Sequence, residues 1–132
     1  MALVPVPAPS AGSADCVALL GKLPATLQSG PTVLSKAVVA EPAPPAAVAW
    51  TDQRSDPVVL RCGLDRPAEL TPTTQTRAVN GVNWLPIDGP EATTWYLVGR
   101  SVYVAVTVPA TTGTGPLQEI SDLIGKTLPP KP

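Results

Sequence analysis

DPVVLRCG, residues 56–63, decides how the chain folds. Val58, Val59 and Leu60 form a short apolar run entered through Pro57 and closed by Gly63. A run of this kind suits a strand covered on one or both sides. Side chains alternate along a strand, so Val58, Leu60 and Cys62 share one face and Val59 and Arg61 the other. Cys62 has one possible partner within the chain, Cys16. Two cysteines and no third pair in an oxidising compartment; two separate buried thiols in a reducing one are the alternative. Pairing would place residues 13–23 over the Cys62 face and leave Arg61 on the other.

Those residues read as a helix. Ser13 is placed as an N-cap and Asp15 falls in the first turn. Cys16, Leu19, Leu20 and Leu23 fall on one helical face, and Pro24 stops the helix. Cys16 therefore points inward with the leucines. Downstream, residues 33–40 (VLSKAVVA) read as a strand and residues 41–47 as a Pro-rich loop. Residues 47–51 read as a short edge strand with Trp50 at its rim. Residues 64–76 read as loop. Asn80-Gly81 is a hairpin signal between residues 77–79 and 82–85, or a bulge in one longer strand. Two β-rich runs flank Gly99-Arg100, where a two-residue turn would set Leu97 against Val102, Trp95 against Val104 and Tyr96 against Tyr103. Val102, Val104, Val106 and Val108 make the apolar row, which leaves both tyrosines on the outer side. Trp84 and Trp95 are expected in the core. Pro116 opens a second helix, residues 116–128, whose stripe is Leu117, Ile120, Leu123, Ile124 and Leu128.

The expected architecture is α+β: a mainly antiparallel sheet of four to six strands, with N- and C-terminal helices packed on one face and one disulfide, Cys16–Cys62. An immunoglobulin-like sandwich is the rival, but Trp84 follows both cysteines instead of lying between them. The single domain is expected over residues 13–128, with a Pro-rich linker over 1–12 and a tail over 129–132. Residues 1–12 lack a basic stretch and are broken by Pro5, Pro7 and Pro9, so they do not read as a signal peptide. A signal peptide or membrane anchor is expected upstream of them, and any membrane association would run through it.

Composition removes several function classes. The net charge of −1 gives no basic surplus for nucleic acid. There is no histidine, the commonest general base near neutral pH and the commonest metal ligand. No phosphate loop, dinucleotide fingerprint, Gly-x-Ser-x-Gly elbow or Ser-x-x-Lys set is present. No catalytic residue, cofactor or metal is therefore assigned. A carboxylate pair is the remaining route to an enzyme acting on envelope glycan, and Asp52 with Asp56 or Asp88 with Glu91 are nearest in sequence. Both pairs sit beside turn residues and read as turn caps. A carrier of a small ligand or lipid is a third reading. The candidate binding surface is the outer sheet face, with Arg61, Tyr96 and Tyr103, joined by Arg100 at the turn. Tyr and Arg are enriched where proteins bind partners. The plainer reading is that the tyrosines brace a half-exposed sheet under the stem of Arg61.

Cys16 with Leu23-Pro24, then DPVVLRCG at 56–63, then Gly81-Val82-Asn83-Trp84, then Arg100 with the strand of residues 102–109 form a pattern. It resembles an actinobacterial family of exported proteins of unknown function that carry an N-terminal anchor or signal. The resemblance implies an extracytoplasmic, envelope-associated domain. It carries over no catalytic residue. The missing catalytic sets, the pair of cysteines and the extended N-terminal stretch lead to the expectation of a non-catalytic domain that binds an envelope protein or cell-wall component.

Overall fold

The computed structural model describes residues 6–39, 44–52, 56–71 and 73–128. Residues 1–5 of the expected linker, the whole of the expected tail and residues 41–43 of the expected loop lie outside them. The element order is α1 (Ala14–Lys22), β1 (Thr26–Ser29), β2 (Thr32–Lys36), β3 (Ala47–Thr51), β4 (Val58–Leu64), β5 (Arg77–Val79), β6 (Val82–Asp88), β7 (Ala92–Val98), β8 (Tyr103–Pro109) and α2 (Gly115–Thr127). All eight strands form one antiparallel sheet in the order β1-β2-β3-β4-β8-β7-β6-β5. Two four-stranded meanders thus meet where β4 pairs with β8.

The expectation of four to six strands is corrected to eight. The added length is short and weakly patterned. β1 is TLQS, four residues with one apolar side chain, and β5 is three residues. Neither has the run length or alternation that marks a strand by itself. Their partners supply it: Leu27 lies opposite Leu34, and Arg77 opposite Trp84. The β1–β2 hairpin also moves β3 inward. Ala47–Thr51 is no edge strand, and Trp50 is no rim residue. Its side chain is fully buried, and its indole Nε1–H donates to the Pro24 carbonyl at 3.0 Å. β2 ends at Lys36 rather than near residue 40, and Val38 is 87% exposed.

Two turns set the second meander. Asn80 and Gly81 adopt φ of 50° and 82°, as a tight β5–β6 hairpin requires. β7 and β8 are joined by four residues, not two, so Trp95 faces Val106 and Tyr96 faces Ala105. The expected register was two residues off, an even slip that keeps every side chain on its face. β6 runs on through Pro86, which a central strand would reject. β5 stops pairing at Trp84, so Pro86 lies where β6 has no neighbour on that side.

α1 forms as its sequence requires: Ser13 is the N-cap, and its Oγ accepts from the Cys16 N–H at 3.3 Å. Both helices pack on one face of the sheet. Cys16 and Leu19 of α1, Leu23 at its C-cap, and Leu117, Ile120 and Ile124 of α2 meet Trp50, Leu60, Trp84, Leu97, Val104 and Val106 in one cluster. Cys16 and Cys62 are bonded, with Cα atoms 5.7 Å apart and no exposure of either residue. Ser121 is the one buried polar residue among those described, and its Oγ accepts the Trp84 indole N–H at 2.8 Å.

α2 touches β1 at one margin of the sheet and β5 and β6 at the other. The sheet is therefore bent around the helix. The Gln28 N–H on β1 donates to Glu119 Oε2 at 3.3 Å. Asn80, in the β5–β6 turn, donates to the Gln118 carbonyl at 3.3 Å. Neighbouring residues of one helix so reach opposite margins, and the exposed row of an edge strand is capped by a side chain.

Candidate functional site

The face turned away from the helices carries three of the four expected surface residues. Register places them: Ala47 on β3, Arg61 on β4, Ala105 on β8, Tyr96 on β7 and Leu85 on β6 form one row across the sheet. The alanines flanking Arg61 are small, so the guanidinium and the Tyr96 ring share the space above Ala105. Burial pushes the Arg61 pKa below its ordinary value, and the nearby Tyr96 phenol partly offsets that. A β-bulge at Gly63 sets Tyr103 opposite Leu64 on the same side. All three side chains are half-buried.

Arg100 does not join them. Its guanidinium donates to the Leu128 carbonyl at 3.1 Å, just past the end of α2, on the helix side of the sheet. A cation there complements the partial negative charge of a helix C-terminus. Its position in the turn could not show this, because its partner lies 28 residues away.

The outer face is less open than an alternating strand pattern implies. Ala49, Val59, Leu64, Leu85 and Ala105 lie on it and are buried. The sheet order explains part of the cover. Residues 65–76 must carry the chain from β4, in the middle, to β5 at the far margin, past β8, β7 and β6. With the helices on one side, the first residues of this crossover lie on the other, beside Tyr96, and Pro67 is buried. The crossover is braced by its own bonds: Arg66 to the Leu70 carbonyl at 3.0 Å, and Thr74 Oγ1 to the Glu69 carbonyl at 2.8 Å. A cleft of about 220 Å³ opens between Leu64, Pro67, Glu69, Tyr96 and, from the N-terminal arm, Val6 and Pro7.

That arm is tied down. The Ser10 N–H donates to the Gly63 carbonyl at 2.9 Å, and the Ser13 N–H to the Ser10 carbonyl at 3.0 Å. Gly63 has φ +87°, and a Cβ there would run into the backbone of Ser10 and Ala11. Glycine is needed at this position both for the left-handed backbone and for the close approach.

Asp88 accepts from Thr93 Oγ1 at 3.0 Å across the β6–β7 turn, which is the turn-capping role. Asp52 and Asp56 flank residues outside those described. Among the described residues, no group of three or more His, Cys, Asp or Glu is placed to hold a metal ion. No described helix is long and apolar enough to cross a membrane. A groove of about 330 Å³ lies elsewhere, between α1, β1 and α2. Four of its seven lining residues, Lys22, Glu119, Asp122 and Lys126, are charged. This is not the apolar cavity that a lipid carrier requires.

No curated protein matches the chain, and no solved structure does. A family model matches it over residues 1–132. The chain belongs to that family, DUF3515, whose description is a protein of unknown function.

Proposed function

We propose that this chain is a non-catalytic domain of the extracytoplasmic cell envelope, of actinobacterial type, and that it binds an envelope protein or a cell-wall component. The observation that carries this reading is the Cys16–Cys62 bond, buried in the middle of the core. A bond so placed supports an oxidising compartment. The half-buried set of Arg61, Tyr96 and Tyr103 is the surface proposed to meet the partner, since such residues combine apolar area with a polar tip.

Two measurements test this. Alkylation of unreduced, denatured native protein should find no reactive thiol at Cys16 or Cys62; two free thiols would remove the compartment argument. A photo-crosslinking residue at Tyr103, used in intact cells, should capture an envelope component that the same probe at exposed Val17 does not. Equal capture from both positions would count against the outer face as the binding surface.

A further inference from the structure

The groove between α1, β1 and α2 has features that the outer face lacks. In an antiparallel pair, directly opposed residues alternate between exchanging hydrogen bonds and turning their N–H and C=O outward. The Lys36 N–H donates to the Ala25 carbonyl at 2.9 Å, which makes Ala25 and Lys36 a bonded pair. Thr26 and Gln28, opposite Ser35 and Val33, are then the open positions of β1. Their main-chain groups face away from β2, toward α2. At Gln28 the chain shows what this edge accepts: the N–H is taken by the Glu119 carboxylate. At Thr26, one period back, the same donor and acceptor face the groove, and Thr26 is exposed.

The walls match this main-chain pair. Glu119, Asp122, Leu123 and Lys126 fall at i, i+3, i+4 and i+7, one stripe of α2. Lys22, in the last turn of α1, and Pro24 complete the lining. Two cations and two carboxylates sum to no net charge. Such a lining complements a zwitterion and disfavours a multiply charged anion. Its volume of about 330 Å³ lies at the small end for ligand sites.

We propose that this groove binds a short peptide zwitterion of about two residues, its C-terminal carboxylate accepting from the Thr26 N–H between Lys22 and Lys126. The ammonium end faces Asp122 and Glu119, and the peptide N–H donates to the Thr26 carbonyl. Main-chain capture at a strand edge and recognition of a terminal carboxylate are thereby combined. The site lies on the opposite side of the sheet from Arg61 and does not depend on the envelope reading.

The test is an amide-resolved NMR titration of the full chain with L-alanyl-L-alanine, into the millimolar range expected of so small a contact. Saturable shifts centred on Thr26, Lys22, Leu123 and Lys126 are expected. The same dipeptide acetylated and amidated at its ends should leave these amides unmoved, as should inorganic phosphate. Thr26→Pro removes the outward N–H without touching the β1–β2 ladder, and Lys22→Gln with Lys126→Gln removes both cations. Each variant should weaken binding by about tenfold or more, because it deletes a charge-assisted contact. If Thr26→Pro loses wild-type spectral dispersion, the lysine variant decides alone. Absence of saturation, equal shifts from the capped dipeptide or from phosphate, or undiminished affinity in the lysine variant would each overturn the proposal.

Discussion

Replacing Ser121 by Ala is the sharpest test of how this core is held together. Ser121 and Trp84 are both fully buried, and the indole N–H reaches the Ser121 hydroxyl at 2.8 Å. Removing the hydroxyl leaves the indole donor with no water to turn to, which costs about 1–3 kcal/mol. Ala is the better helix former, and in the middle of α2 that returns up to about 0.5 kcal/mol. The net loss should be about 1–2 kcal/mol. Trp84→Phe is more costly alone, because it also opens space in the core. In the Ser121→Ala background, however, its donor is already orphaned, so the second step costs less than it does in the wild type. The double-mutant cycle should return a coupling of about 1–2 kcal/mol. Urea unfolding followed by far-UV circular dichroism, with the disulfide intact, measures all four corners. With a urea m-value of about 1–3 kcal/mol/M, Ser121→Ala should lower the midpoint by roughly 0.5–1 M. A coupling under about 0.3 kcal/mol, the ordinary scatter of independent sites, would refute the assignment of this bond.

Three further outcomes are expected. Converting Cys16 and Cys62 to Ala reopens a loop of 46 residues and should cost about 4 kcal/mol in the chain-entropy model, read as a fall in urea midpoint; a change near zero would show that the bond does not constrain the unfolded chain. Gly63→Ala should cost about 1–2 kcal/mol in backbone strain alone and detach the arm, which faster hydrogen exchange at the Ser10 amide would report; unchanged exchange would show that the arm does not depend on Gly63. Ala46, at φ 54°, sits where glycine is favoured, so Ala46→Gly should raise thermal stability by about 0.5 kcal/mol, and a loss would mean that its methyl packing outweighs the strain.

Much of the framework is written locally. The Ser13 cap with the inward row from Cys16, the Asn80-Gly81 turn, the valine row of β8 and the stripe of α2 each depend on neighbours a few residues away. The pairing of Cys16 with Cys62 was legible because no other partner exists. What the sequence hid depends on distant partners. TLQS becomes a strand only beside β2. Trp50 is buried because β1 and β2 lie outboard of it. A four-residue connection between β7 and β8 has no signature as strong as a glycine at a two-residue turn. The candidate site suffered most. Alternation put Arg61, Tyr96 and Tyr103 on the outer side, but nothing local shows that residues 65–69 lie beside Tyr96, or that Arg100 reaches a helix C-terminus. The groove at Thr26 could not be found before β1 was known to exist.

The helix that spans both margins of the sheet follows all eight described strands in chain order, and this fixes when the sheet can be completed. Synthesis delivers the first meander early, yet β4 waits for β8, as the pairing of Val59 with Thr107 shows. Both margins then wait for Gly115–Thr127. A nascent polypeptide stopped between β8 and α2 presents a sheet with two unfinished rims. Acquisition of structure is thus deferred until Gly115–Thr127 has been made, and contacts so remote along the chain make for slow assembly.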